Sequence, residues 1–369
     1  MLAKPKYNVS LLIAAVGLAV FGIVMQYSAS SYTALKETGD AFFYVKKQAI
    51  ALVVGLVAVY GASKVPTAWL KRFAWIGLLV SYALLAAVFI PGLGIEKYGA
   101  TRWINLGFTT FQPSEIAKFC LAVYIAAQLS EKSAHTFRNM FKILCAAGAM
   151  CVLILLEPNM SITMCVALVV VIMLFVGGCR IKQFAVFALP AIAAVVGLIL
   201  LEPYRIKRLM AFIDPWASPL GEGYQLIQSY YALGGGGLFG VGLFQSRQKY
   251  AFLPFAESDF IFSIIGEELG WVGCVCVLSV FAFILWQGVR IAMRAENRFD
   301  SYLASGVVAV IGVQTLLNIA VVTGSIPPTG LPLPFVSAGG SSLVVFLAAI
   351  GLLQNVHMRA QGYPTGHKL

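Results

Sequence analysis

The stretch Leu253-Pro-Phe-Ala-Glu-Ser-Asp-Phe-Ile-Phe-Ser-Ile-Ile-Gly-Glu-Glu-Leu-Gly270 places four acidic residues at the beginning of a long apolar run. The acids are Glu257, Asp259, Glu267 and Glu268. A carboxylate near the middle of a bilayer costs free energy because it loses its water, so four in one stretch require partners or a function. Whether the run Phe260–Arg290 crosses a membrane therefore decides how these acids are interpreted.

Composition and hydropathy indicate a polytopic membrane protein. The 369 residues are 60% hydrophobic and 11% charged, with a mean hydropathy of +0.87, whereas soluble domains carry about 25% charged residues. Apolar runs of about 18 residues, long enough to cross a bilayer core of about 30 Å, recur along the chain. Because polar and apolar residues do not alternate within these runs, they predict helices and not barrel strands.

We predict an all-α fold of about ten transmembrane helices, forming a single membrane domain over residues 1–369. The predicted spans are Val9–Tyr27, Gln48–Ala62, Phe73–Ile90, Ser114–Leu129, Phe141–Leu156, Ser161–Gly178, Phe184–Leu201, Phe260–Arg290, Leu303–Thr323 and Ser341–Asn355. Lysine and arginine are concentrated in the segments that lie inside if the N-terminus is inside. This bias predicts that both termini are cytoplasmic, in a multi-pass protein of the cytoplasmic membrane.

The net charge of +11 is explained by this topology signal. Nucleic-acid binding would require a soluble basic face with stacking aromatic residues, and the sequence offers none, so we expect no nucleic-acid partner. The seven cysteines lie mostly inside predicted spans and have no metal-type spacing. They are interpreted as small apolar core residues.

One long outer loop, Glu202–Ser258, is predicted between spans seven and eight. Within it, Tyr204–Ile213 has the mixed apolar and basic pattern of a short interfacial helix, and Asp214-Pro215 ends that pattern. The segment Gly234–Gly242 contains six glycines. Such a segment suits a close backbone approach to a ligand or a flexible linker, and the sequence leaves both alternatives open.

Asp259 lies at the predicted outer mouth of span eight. A partly desolvated carboxylate there has a raised pKa and suits a general base, although an aspartate at this position also suits a helix N-cap. Glu257 is interpreted as a solvated loop charge. Glu267 and Glu268 lie deeper in the same helix, where a buried, partnered polar core is at least as good an interpretation as catalysis.

Span four opens with Gln112–Lys118, in which Glu115 and Lys118 are three residues apart and share a helix face. The pair predicts either a purely structural ion pair inside the bundle or a site in which Lys118 meets an anionic substrate. Both interpretations stay open.

Three further cations in the outer segments, Arg102, Arg208 and Lys249, suggest a clamp for a lipid diphosphate. Contact with the headgroups of membrane lipids is the simpler alternative. The outer segment Gly324–Gly340 is too apolar for a solvated loop and too broken for a helix, so we predict that it folds back into the bundle. Ser341 then begins span ten, where backbone amides suit an anion.

These motifs together resemble the SEDS family of shape, elongation, division and sporulation proteins, which includes FtsW, RodA and SpoVE. The matching segments are Gly99–Gly107, Gln112–Lys118, Leu156–Asn159, Ser246–Lys249, Ser258–Gly270 and Thr323–Ser342. The resemblance covers nearly the whole chain. The form of Ser246–Lys249 is closer to the FtsW and SpoVE branch than to RodA.

The resemblance implies a peptidoglycan glycosyltransferase that polymerises lipid II at the outer face of the cytoplasmic membrane, in cell division or sporulation. It places the family's essential aspartate on Asp259, its glutamate and lysine on Glu115 and Lys118, and its loop arginine on Arg208. The expected partners are a class B penicillin-binding protein, which is a transpeptidase, and other division or elongation membrane proteins. No cofactor is certain, and a divalent cation (Mg or Mn) is an option.

The chain departs from the family pattern at two places. Phe255 and Glu257 stand where the family often has glutamate and histidine near the aspartate, and Asn159 replaces the aspartate of a Pro-Asp motif. A metal or proton role at Asn159 is therefore not expected. A lipid II flippase and a non-catalytic scaffold for the transpeptidase are the alternative functions; concentration of polar groups at the outer mouth favours the enzyme.

Overall fold

The computed structural model describes residues 6–97, 100–105, 107, 110–131, 136–179, 197 and 203–362. Within them the chain forms twelve α-helices, one 3₁₀ turn at Pro215–Ala217 and a three-stranded sheet. The helices are α1 (Val9–Thr38), α2 (Phe43–Lys64), α3 (Thr67–Arg72), α4 (Ala74–Ala87), α5 (Pro113–Glu131), α6 (Phe137–Leu156), α7 (Met160–Val176), α8 (Pro203–Ile213), α9 (Tyr224–Gly235), α10 (Ile261–Met293), α11 (Arg298–Val322) and α12 (Gly340–Arg359). The strands are β1 (Gly94–Lys97), β2 (Ala100–Asn105) and β3 (Thr110–Phe111).

The helical membrane fold predicted from hydropathy is confirmed. Each predicted span except the seventh coincides with a helix, and the seventh, Phe184–Leu201, lies almost wholly outside the described residues. Helices α1, α2, α6, α10, α11 and α12 are long and apolar enough to cross a bilayer, and α4 and α7 are shorter apolar helices. The total of ten spans and the cytoplasmic position of the termini remain predictions.

The segment after α4 forms a small antiparallel sheet, which the all-α prediction missed. Ile95 pairs with Trp103, and Ile104 pairs with both Gly94 and Phe111. Strand β2 is rich in β-branched and aromatic residues, which suit a pleated surface. It is too short and too polar to stand out beside the long apolar runs, so hydropathy alone did not reveal it.

Of the six long apolar helices, α11 and α12 are the most buried. Helix α12 packs closely against α2 at two glycines, where a side chain at Gly55 would collide with Leu347 and one at Gly351 with the Val59 carbonyl. Close approach of this kind between apolar helices gains its stability from packing, because lipid supplies no hydrophobic driving force between helices.

Polar contacts hold α1 and α2 to α12 at one end of the bundle. The backbone N–H of Asn8 donates to Gln354 Oε1 at 2.8 Å, and Asn355 Nδ2 donates to the Val65 carbonyl at 2.6 Å. Asp259 lies at the opposite end of the bundle, two residues before α10 begins.

Helix α10 is interrupted at Gly270, whose φ of 67° and ψ of −166° are not helical. Four main-chain hydrogen bonds to the glycine-rich segment, Gly234–Gly242, replace those that the helix would make across the break. They run from Val241 N to Glu267 O (2.9 Å), Gly242 N to Glu268 O (3.0 Å), Trp271 N to Gly237 O (2.9 Å) and Val272 N to Leu238 O (3.1 Å). The glycine-rich segment is therefore inserted into the hydrogen-bond ladder of α10.

This insertion decides between the alternatives for the glycine-rich segment. The close backbone approach is present, but it is made to a helix and not to a ligand, and the segment is not a flexible linker. A Cβ at Gly236 would collide with the carbonyl oxygen of Gly266, and one at Gly240 with that of Glu268. These two glycines are required by packing.

Replacing Gly236 with alanine should destabilise the protein, because its Cβ would push apart two main-chain segments. The expected loss in the free energy of unfolding is about 1–3 kcal/mol, as for other overpacked sites. Gly235→Ala is the matched control, since the neighbouring glycine is exposed and its Cβ would meet no atom. Thermal unfolding in detergent measures both, and equal stability of the two variants would contradict the inserted arrangement.

Candidate active site

Asp259 lies in a turn immediately before α10. Its amide donates to the Phe255 carbonyl at 3.1 Å, and its own carbonyl accepts from Asn318 Nδ2 at 2.8 Å. Asn318 is on α11 and fully buried. The main chain of Asp259 is thus fixed by a buried side chain, while the residue itself keeps some exposed surface.

The segment Gly324–Gly340 folds back into the bundle against Asp259, as predicted. Leu331, Leu333 and Val336 within it are buried. At Gly330 (φ +71°), a Cβ would lie 3.1 Å from Asp259 Oδ2. The non-helical backbone therefore lies beside the carboxylate and is covered by protein.

Side chains of α11 satisfy the carbonyl groups of this re-entrant segment. Asn318 Nδ2 donates to the Leu331 carbonyl at 2.6 Å, and Gln314 Nε2 donates to the Pro332 carbonyl at 2.9 Å. Buried carbonyls without partners would be costly at this depth. Gln314 and Asn318 thus hold the segment in place. The sequence analysis did not identify them, although two amide side chains four residues apart in an apolar span are a pattern that indicates polar contacts inside a bundle.

Arg102 and Arg208 both act electrostatically on Asp259. Arg102, on β2, is oriented by the loop after α6, since its Nε donates to the Glu157 carbonyl at 3.1 Å and its Nη2 to the Pro158 carbonyl at 2.6 Å. Arg208, on α8, donates from Nη1 to the Pro328 carbonyl at 3.3 Å. The structure therefore brings together three predicted site residues from distant parts of the chain.

The pKa of Asp259 is raised to about 6, and burial is the largest cause. Repulsion from Glu257 contributes to the rise, whereas Arg102, the Ser258 hydrogen bond and Arg208 oppose it. Asp259 is thus mostly ionised at neutral pH but binds a proton much more readily than an ordinary aspartate. That balance suits a general base.

Glu115 and Lys118 form a buried ion pair beneath the site. Lys118 Nζ donates to Glu115 Oε1 at 3.1 Å, and neither side chain has any exposed surface. Lys118 also donates to Gln314, and Ser342 Oγ donates to Glu115 Oε2 at 2.8 Å. Of the two interpretations left open, the geometry favours the structural one, because Lys118 has no free surface with which to touch a substrate.

The first turn of α12 carries two neighbouring serines, and the predicted anion contact is Ser341. Ser341 is partly exposed there, and its predicted contact with a substrate anion remains a prediction. The neighbouring Ser342 is the serine that joins α12 to the buried pair.

Lys249 is also buried, which corrects its predicted place in an anion clamp. It lies 3.5 Å from Glu268 Oε1 and donates to Ser28 Oγ at 3.3 Å and to the Phe244 carbonyl. Its charge is neutralised inside the protein, so it does not face the site.

Glu267 and Glu268 accept hydrogen bonds from the loop before Asp259, which is the partnered polar core suggested for them. Glu268 accepts from Phe244 N at 3.0 Å and from Ser246 N at 3.1 Å. Glu267 accepts from Arg247 N at 2.9 Å. The two carboxylates fix the Ser246–Lys249 segment and satisfy amides that would otherwise be buried without partners.

Comparison with known proteins agrees with this arrangement. The sequence pattern of the FtsW, RodA and SpoVE family, described as cell cycle proteins, matches residues 9–362. The chain belongs to this family.

Relatives match over almost the full length of the chain. Stage V sporulation protein E of Bacillus subtilis is 39% identical over 356 residues, covering 96% of this chain and 97% of that protein. A probable peptidoglycan glycosyltransferase FtsW of Geobacter sulfurreducens is 39% identical over 362 residues, covering 97% of each chain. These relatives belong to the FtsW and SpoVE branch that the sequence predicted.

Solved structures share the fold. RodA of Thermus thermophilus superposes with a TM-score of 0.71 at 26% identity, over 96% of this chain and 97% of RodA. A chain of a peptidoglycan synthase complex, described as coordinating polymerization and crosslinking, superposes with a TM-score of 0.80 at 29% identity, over 96% of this chain and 98% of that one.

The loop after α6 shows how this member of the family departs from the common pattern. Asn159, in place of the usual aspartate, caps α7 by accepting from the Ile162 amide at 3.3 Å. The preceding Glu157 is fully buried, and burial raises its pKa to about 8 although Arg102 opposes the rise. The acid of this loop is therefore mostly uncharged at neutral pH.

The residues around Asp259 do not fit a resident divalent metal. Among the described residues, no group of three or more His, Cys, Asp or Glu side chains is placed to hold one, whereas a tightly held divalent cation in a protein usually has several oxygen ligands. No catalytic step is therefore assigned to a metal, and the optional Mg or Mn stays an untested prediction.

Removing Lys118 should be costly, because Lys118→Met leaves Glu115 buried without its counter-ion. A loss of about 3–5 kcal/mol in the free energy of unfolding is expected for a broken buried pair, and the Glu115→Gln/Lys118→Met double variant should recover part of it. Lys46→Met is the matched control, since Lys46 pairs with Asp40 at the surface and should cost less than about 1 kcal/mol. Equal losses for Lys118→Met and Lys46→Met in detergent unfolding would refute the buried pair.

Proposed function

We propose that this chain polymerises lipid II into glycan strands, with Asp259 as the catalytic base. The peptidoglycan glycosyltransferase activity implied by the family resemblance is confirmed by the family and by the names of the relatives. The single observation that carries the assignment of the base is the desolvated carboxylate of Asp259 at one end of the bundle, on which Arg102 and Arg208 both act electrostatically.

The reaction requires a base and a cationic site. In our proposal Asp259 takes the proton from the 4-hydroxyl of the acceptor sugar as that oxygen forms a bond to the anomeric carbon of the donor. The bond from this carbon to the lipid diphosphate breaks, and the electron pair leaves with the diphosphate. One in-line displacement on an α-linked donor inverts the centre and gives a β-linked product.

Arg102 and Arg208 are the cations that we assign to the leaving diphosphate. Guanidinium groups fixed before the reaction stabilise the charge that develops on a leaving phosphate, and they are most effective where water is excluded. Main-chain carbonyls orient both arginines. Lys118 and Lys249 are left out of this clamp because each is neutralised inside the protein.

We further propose that the Asp259 end of the bundle faces outward across the cytoplasmic membrane and works with a class B penicillin-binding protein. The distribution of basic residues supports this orientation. The solved peptidoglycan synthase complex, described as coordinating polymerization and crosslinking, supports a transpeptidase partner for a chain of this fold.

Asp259→Asn should abolish polymer formation from purified lipid II in detergent with the partner present, because an amide cannot accept the proton. The fold should survive, since burial disfavours the charged form that the substitution removes. Size analysis of the glycan product gives the readout, and near-normal polymerisation by the variant would contradict the assignment of Asp259 as the base.

The same assay distinguishes the enzyme from the two alternative functions. Wild-type activity in detergent, where no membrane barrier exists, is not expected of a pure flippase or a scaffold.

The pH dependence offers an independent test of the electrostatics. Because Asp259 must be ionised to accept a proton, kcat/KM should fall as pH drops through the pKa of about 6. Arg102→Gln and Arg208→Gln remove charges that lower this pKa, so each should move the acid limb to higher pH. Arg247→Gln is the control, since this exposed arginine is not among the charges acting on Asp259. An acid limb unmoved by either site variant would argue against Asp259 as the titrating group.

A further inference from the structure

A cleft of about 340 Å³ opens at the end of the bundle opposite Asp259. Its lining joins the first turn of α1, the last turns of α10 and the end of α12. The polar residues of this lining include Asn8, Ser10, Gln287, Arg290, Arg294 and His357. None of these residues takes part in the proposed reaction.

The floor of the cleft is a closed set of polar side chains. Ser10 Oγ donates to Asn8 Oδ1 at 2.8 Å, and Gln287 Nε2 donates to Ser10 Oγ at 3.0 Å. Asn8 Nδ2 in turn donates to Gln287 Oε1 at 3.4 Å. Residues from α1 and α10 are thus ordered together, so the cleft does not have to be formed when a ligand arrives.

Arg290 and Arg294 form its cationic rim. They are four residues apart on α10 and therefore lie on one face. Neither forms an ion pair with any carboxylate among the described residues, and the lining of the cleft contains no acid. Two positive charges consequently face a polar cleft without a counter-ion.

A neighbouring cleft at the same end also has basic residues, but two of them are paired with acids. It is lined by Lys71, Arg298 and Arg359, but Arg359 lies 3.0 Å from Asp300, and Lys71 lies 3.7 Å from Glu131. Acids already neutralise most of its charge. The unpaired arginines therefore single out the cleft at Arg290 and Arg294.

The surroundings of this cleft are typical of the level of lipid headgroups. Val289 and Met293 expose apolar side chains nearby. The exposed Trp286 lies under the Arg290 guanidinium, 4.6 Å from ring centroid to Cζ. Tryptophan is enriched where apolar helices leave the hydrocarbon core, and basic pockets between transmembrane helices suit anionic lipid headgroups.

We propose that the Arg290–Arg294 cleft binds the phosphate group of an anionic phospholipid. The two guanidinium groups contact the phosphate oxygens, and the polar floor receives the rest of the headgroup. The site is independent of the glycosyltransferase chemistry, since it lies at the other end of the bundle.

The test titrates purified full-length protein in neutral detergent with short-chain phosphatidylglycerol, phosphatidylcholine of the same chain length, and inorganic phosphate. Thermophoresis or tryptophan fluorescence gives the Kd. Phosphatidylglycerol should bind in preference to the other two. Arg290→Gln/Arg294→Gln should weaken its binding about thirtyfold, which corresponds to two charges at about 1 kcal/mol each. Arg294→Gln alone, at an exposed position, should weaken it about fivefold.

The matched control is Arg138→Gln/Lys142→Gln, which removes two exposed cations, also four residues apart, at the same end of the bundle. Its affinity for phosphatidylglycerol should stay within about twofold of wild type. Unchanged affinity in the Arg290→Gln/Arg294→Gln variant would overturn the site, and so would an equal loss in the control variant. Saturation by inorganic phosphate as readily as by phosphatidylglycerol would overturn the lipid as its occupant.

Discussion

Polar groups inside an apolar bundle must be paired, and the Asp259 end of this protein is arranged around that requirement. The re-entrant segment brings main-chain carbonyls into the interior of the bundle, where water cannot solvate them. Gln314 and Asn318 on α11 supply the missing donors, and Asn318 also binds the carbonyl of Asp259. The position of the proposed base therefore depends on the same hydrogen bonds that make the re-entrant segment possible.

The same requirement separates Asp259 from Glu267 and Glu268. Glu267 and Glu268 accept several hydrogen bonds each and hold a loop against a broken helix. Asp259 is surrounded by protein but is left with two arginines at a distance, so its pKa is raised and not lowered. A carboxylate that is fully partnered is structural, whereas one that is desolvated and incompletely partnered is prepared to accept a proton.

The sequence predicted the helices well because long apolar runs are a strong local signal. It also predicted Asp259, Arg102 and Arg208 as site residues, and the structure brings them together. It did not predict the sheet, whose short strands have a weak signal, or the inserted glycine-rich segment, whose role depends on the distant α10. Nor could it decide between the two roles left open for Lys118 or show that Lys249 is neutralised, because burial is set by tertiary packing and not by residue type.

The two ends of the bundle differ in what their arginines face. At the Asp259 end they act on a desolvated acid, while at the opposite end Arg290 and Arg294 face a polar cleft without an acid.

A structure of the protein with a bound lipid II analogue tests the role of Asp259 and the two arginines most directly. We predict that the acceptor 4-hydroxyl lies within hydrogen-bonding distance of the Asp259 carboxylate and that Arg102 and Arg208 contact the donor diphosphate. A bound analogue whose reacting hydroxyl and diphosphate lie away from these three residues would contradict it.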